Sequence, residues 1–240
     1  MAKMTLDELA AQLGAVYGDG LRAVALYGSA ARGDRLTKTT TLNVLVIVDA
    51  IGMEHLQREA AVTSAWKEAG HPPPLTLTVE EWRGSADIFP MEYADILAHH
   101  TVVRGALPLE GITVDPRDLR LQLEHEAMSK LLRLRHAVLS AGGDDKAQRA
   151  LLEGSISSFM ALLRTAARLA GLEPAPDSDA VLTQLDGRIP VDIRAFRRVL
   201  GYSRGSEPLD KAGVRTTIEA YLGAAASLAR YADAFDGTQP

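Results

Sequence analysis

The chain has 240 residues with 26 basic and 31 acidic side chains, a net charge of −5, and room for one large domain or two modest ones. Its 47% hydrophobic and 24% charged residues exclude wholesale disorder, and the absence of cysteine excludes disulfides, cysteine-ligated zinc, iron–sulfur clusters and a thiol nucleophile. Residues 1–110 carry nine basic and 14 acidic side chains and residues 111–240 carry 17 of each, so neither half has the positive excess that grips a long nucleic acid. No run approaches the ~18 apolar residues of a membrane span. The opening MAKMTLDELAAQLG lacks the apolar core of a signal peptide, so the expectation is a cytoplasmic protein without a membrane partner.

Thr5-Leu6-Asp7-Glu8 has the pattern of a capping box and starts a helix expected to reach Tyr17, where Gly18-Asp19-Gly20 breaks it. Leu21–Tyr27 reads as a short strand ending at Gly28-Ser29. Residues 30–40 are small and polar. Leu42–Val48 is the clearest strand, apolar on both faces and therefore central and covered on both sides, with Asn43 breaking the pattern. Met53–Ala69 is expected to be helical and closed by Gly70 and the His71-Pro72-Pro73-Pro74 link. Leu75–Val79 alternates as a half-buried strand, and Pro90 opens a helix expected to run to about His100.

The second half carries helix signals only. Asp115-Pro116 opens one long helix, a second begins near Asp144, short helices fall near Ser178–Leu185 and Val191–Leu200, and a last helix runs past Val214 towards Phe235. Glu173-Pro174-Ala175-Pro176-Asp177 reads as a rigid turn. The expected fold class is α+β: a small mixed sheet with helices in residues 1–110, then an all-α bundle in residues 111–240.

The chemistry concentrates in VALYGSAARGDRLTKTTTLNVLVIV, residues 24–48. Glycine after a strand lets a backbone approach a phosphate, and a helix start offers unbonded N–H groups to an anion. Gly28, Ser29, Arg32 and Gly33 are therefore the candidate phosphate-binding residues, Ser29 through its hydroxyl and Arg32 through its guanidinium. Arg32 has an alternative reading, an ion pair with an acid of its own domain such as Asp34.

This stretch resembles the DNA polymerase beta-type nucleotidyltransferase superfamily, whose small members read apolar-Tyr/Phe-Gly-Ser-x-Ala-Arg-Gly, a gap, then Ser-Asp-x-Asp and an apolar strand. The helical second half resembles the bundle of kanamycin-type and minimal nucleotidyltransferases. The resemblance implies two aspartates on one face of the second strand and a third carboxylate on a later strand, holding two magnesium ions for attack on an α-phosphate. Aligned on Val44–Val48, the first two positions hold Thr41 and Asn43, and the third falls on Thr76 or Thr78. Asp49 lies six residues beyond Asn43, about 20 Å along a strand, and does not replace them.

The expectation is therefore a catalytically degenerate nucleotidyltransferase-fold protein with no catalytic residue and no metal. It retains an NTP or another phosphate ligand at the Gly28-Ser29 loop. Two further readings remain open: an active nucleotidyltransferase that uses magnesium to act on a small molecule or protein, and a non-enzymatic module for an unnamed protein partner. Among other candidates, His99-His100 read as helical neighbours pointing about 100° apart. The Arg120 and His125 spacing reads as coincidence. Glu80-Glu81 and the Glu92/Asp95 pair read as helix N-terminal charge and solvated faces, with a minority reading of one as a replacement metal ligand.

Overall fold

Residues 4–33 and 41–235 are described by the computed structural model, and the chain divides into two units, Met1–Val114 and Asp115–Pro240. In the first unit, helix α1 (Leu6–Tyr17) starts at the expected capping box: Thr5 Oγ1 accepts from the Glu8 amide at 3.2 Å, and the Glu8 carboxylate accepts from Thr5 N at 2.8 Å. Such a cap contributes about 1 kcal/mol. Strand β1 (Leu21–Tyr27) runs into a one-turn helix α2 (Ser29–Arg32). Strand β2 (Asn43–Val48), helix α3 (Met53–Glu68), strand β3 (Leu75–Thr78), helices α4 (Val79–Gly84) and α5 (Pro90–Ala98), and strand β4 (His100–Gly105) follow.

Among the described residues the sheet order is β3-β2-β1-β4, with β2 and β3 parallel and the other pairs antiparallel. The pattern of β2 sets the layers. Val44, Val46 and Val48 face Leu9, Leu13 and Tyr17 of α1 and Trp66 of α3. Leu45 and Ile47 face Trp82 of α4 and Tyr93 and Ile96 of α5. Two covered faces are what a strand apolar on both sides requires.

The structure departs from the expected elements at three places. Residues 29–32 form the one-turn helix α2, in a stretch that the sequence marks only as small and polar. The third strand stops at Thr78, because Thr78 caps α4 with Glu81 as the reciprocal partner. Helix α5 stops at Ala98, so His99 and His100 are not helical neighbours: His99 closes α5 and His100 opens β4. Strand β4 escaped sequence reading because it is an edge strand with Thr101 and Val102 both exposed, so no period-2 pattern marks it. Its end is fixed by Gly105 at φ +74°, where an added Cβ would stand 2.0 Å from the Arg22 carbonyl oxygen.

In the second unit α6 (Pro116–Ala141), α7 (Asp145–Leu169), α8 (Ser178–Leu185), α9 (Ile193–Ser203) and α10 (Lys211–Ala234) each start behind an aspartate that accepts backbone N–H bonds: Asp115, Asp144, Asp177, Asp192 and Asp210. Phe159, Phe196 and Tyr221 join α7, α9 and α10, with ring centroids 5.2 to 5.7 Å apart. Buried Arg164 donates to the carbonyls of Ala175 and Pro176 and to Ser178 Oγ, which ties the Glu173–Asp177 turn to α7. The fold class is α+β, a small mixed sheet with a helical bundle after it. Among the described residues no helix is long and apolar enough to cross a membrane.

Candidate functional site

The turn between β1 and α2 is built on Gly28. Its φ of +77° lies in the left-handed region, and an added Cβ would meet Asn43 Nδ2 at 2.8 Å. The Gly28 carbonyl accepts from Ala31 N at 3.1 Å and Arg32 N at 3.2 Å, which closes the turn. Ser29 is half-buried as the first residue of α2, and Gly33 ends the helix at φ +74°. Asn43 reaches the turn because the antiparallel register sets it opposite Tyr27, the residue before Gly28. His100 lies opposite Tyr27 on the other side. Asn43, Tyr27 and His100 thus form a row on one face of the sheet, at the end that carries the turn.

Helix α5 brings charge to this row. Arg32 Nη1 donates to the Asp95 carboxylate, and both side chains are largely enclosed, at 11% and 17% exposed. Burial pushes the Tyr27 phenol above its ordinary value, and the nearby Glu92 and Asp95 carboxylates push it the same way. His100 Nδ1 lies 2.7 Å from the Ile96 carbonyl and donates to it in the neutral ring, which leaves Nε2 as the acceptor. Arg32 is thus ion-paired within its own unit, with Asp95 as one partner. Asp34 lies outside the described residues.

No family model matches the chain, and no curated protein matches it. Solved structures do. Spectinomycin adenyltransferase AAD(9) from Enterococcus faecialis, solved with ATP and spectinomycin, aligns with a TM-score of 0.55 at 13% identity, over 92% of this chain and 96% of that one. The fold is a nucleotidyltransferase fold.

Within the nucleotidyltransferase fold, the positions expected for the acidic ligands do not converge. Thr41 is exposed two residues before β2, on the phase of Asn43. Thr76 pairs with Val46 across the parallel β2–β3 ladder, so it lies on the α1/α3 face, opposite Asn43. There Thr76 Oγ1 donates to Glu59 Oε1 at 2.6 Å, while the Tyr17 hydroxyl donates to Glu59 Oε2. Glu59 is 7% exposed, and this acid was not singled out from sequence because nothing in its helix distinguishes it from a solvated glutamate. Asp49 is held by Arg22, whose Nε donates to Oδ1 at 2.6 Å, and that hydrogen bond holds the Asp49 carboxyl below its usual range. Glu81 serves the α4 cap, and Arg120 bonds Glu124 and the Ala232 carbonyl. Among the described residues no group of three or more His, Asp or Glu side chains could hold a metal ion.

Proposed function

We propose that this chain is a nucleotidyltransferase-fold protein that has lost metal-dependent transfer and keeps a nucleotide-binding turn at Gly28 and Ser29. The observation that carries the reading is the Gly28 turn packed against Asn43, with a neutral amide where the resemblance implies an acidic ligand. Turns of this kind approach phosphates through the backbone and need no carboxylate. The likeness to an adenyltransferase solved with ATP supports a nucleoside triphosphate as the ligand class.

Among the described residues, the positions that the resemblance implies do not fit the magnesium pair such a fold uses. Asn43 and Thr41 offer oxygens without charge, and Thr76 faces the other side of the sheet. Carboxylates supply most of a protein's attraction for magnesium.

Calorimetric titration with ATP and GTP, in EDTA and in magnesium, tests the reading. Binding in EDTA with no pyrophosphate released in magnesium is the expected result. Robust pyrophosphate release that vanishes in Asn43→Ala assigns the active transferase instead. Absence of binding at millimolar nucleotide leaves the turn as architecture and favours the partner-binding module.

A further inference from the structure

Resting on the nucleotide-binding reading, we propose that Asp95 sets the specificity of the Gly28–Arg32 turn: it holds the Arg32 guanidinium, so that only a multiply charged phosphate chain draws Arg32 away.

The argument starts from the enclosure of the pair. Arg32 is the basic residue of α2, and its Nη1 is spent on Asp95, 63 positions along the chain. Both partners are largely shielded from water, so separating them leaves a carboxylate in a poorly hydrated place. A monophosphate, a single group of at most two charges, offers Arg32 little more than Asp95 already supplies. A triphosphate spreads more charge over a chain of three groups, and a guanidinium can meet it with two parallel N–H bonds.

Glu92 deepens the selection. It stands three residues before Asp95 on α5, and both carboxylates raise the Tyr27 phenol, so the field around the row is negative. The lost acids of β2 have not left a site free of negative charge; α5 supplies it from the opposite element, with Arg32 as counter-ion.

The test is a double-mutant cycle with Asp95→Asn, Arg32→Ala and the double variant, titrated in EDTA with ATP and with AMP. Circular dichroism checks the fold of each variant. Asp95→Asn is expected to bind ATP about tenfold or more tightly than the parent and to bring AMP into the measurable range. That gain is expected to vanish in the Arg32→Ala background. If wild type binds ATP and Asp95→Asn binds it equally or less well, the gate fails while the nucleotide-binding reading stands. An equal gain in the Arg32→Ala background also overturns it, because bare removal of charge then explains the effect. Binding by Asp95→Asn alone, with a silent wild type, overturns the gate, because ATP then fails to draw Arg32 from Asp95. If no variant binds, both readings fall. Asp95→Ser is the second variant should Asp95→Asn not fold; failure of both makes the pair a structural clamp and overturns the gate.

Discussion

At Gly28 two separate constraints meet in one residue: a backbone angle that side chains resist and an amide nitrogen where a Cβ would go. Gly28→Ala is expected to destabilise the protein by about 1–3 kcal/mol, read as a lower urea midpoint. Adding Asn43→Ala should relieve the collision and leave the backbone cost, so the double variant recovers only part of the loss. Glu59 gives a second test at this scale. Its carboxylate accepts from Tyr17 and Thr76 in a buried place, and an amide in its position turns N–H groups towards hydroxyl donors. Glu59→Gln should cost about 1–3 kcal/mol and release Thr76, measured by the same unfolding curve. The turn was legible in the sequence because a glycine after an apolar strand has a local cause. The partner of Arg32 was not, since Asp95 reaches it only after α5 has packed and β4 has folded back along β1.

Elements were legible wherever caps or two-sided burial wrote themselves into the chain. The capping box at Thr5, the doubly covered β2 and the aspartates ahead of the bundle helices are all local patterns with local reasons. Strand β4 and helix α4 were hidden for the opposite reason. An edge strand with neighbouring exposed residues has no alternation, and a short helix straight after a strand borrows its first residues from the strand's pattern. Helix α7 makes an energetic prediction at this scale. Its Arg164 satisfies two carbonyls of the turn before α8, so Arg164→Ala should leave buried acceptors unpaired and cost roughly 3 kcal/mol or more. Arg164→Lys should recover little, because an ammonium lacks the planar fork that spans Ala175, Pro176 and Ser178. Thermal unfolding of the two variants checks both statements.

For the whole molecule, alkali is the informative stress. Burial raises the phenols of Tyr17, Tyr93 and Tyr221, with Tyr93 pushed up to about 12. A raised value means the folded state favours the protonated phenol. That stability is fully present below the ordinary value of about 10 and is lost as the pH climbs through the folded value. Stability should therefore hold to about pH 10 and fall steeply towards pH 12, with phenolate absorbance appearing as the fold is lost. Tyr93→Phe, which removes a 2.6 Å bond to the Trp82 carbonyl, should lower stability at neutral pH by about 1 kcal/mol and soften the alkaline fall.

Both tryptophans of the chain lie in residues 1–114, Trp66 on the α1/α3 face of the sheet and Trp82 on the α4/α5 face, and residues 115–240 contain none. Each is fully buried, and each indole N–H donates to a proline carbonyl at 2.9 Å, Trp66 to Pro72 and Trp82 to Pro108. The molecule consequently carries its own indole reporters in one unit and none in the other. Indole emission during denaturation follows the sheet alone, whereas the far-ultraviolet dichroism weighs the long helices of residues 115–240. If the units unfold as one cooperative body, the two signals superimpose; a gap between them measures how independently each half holds its shape.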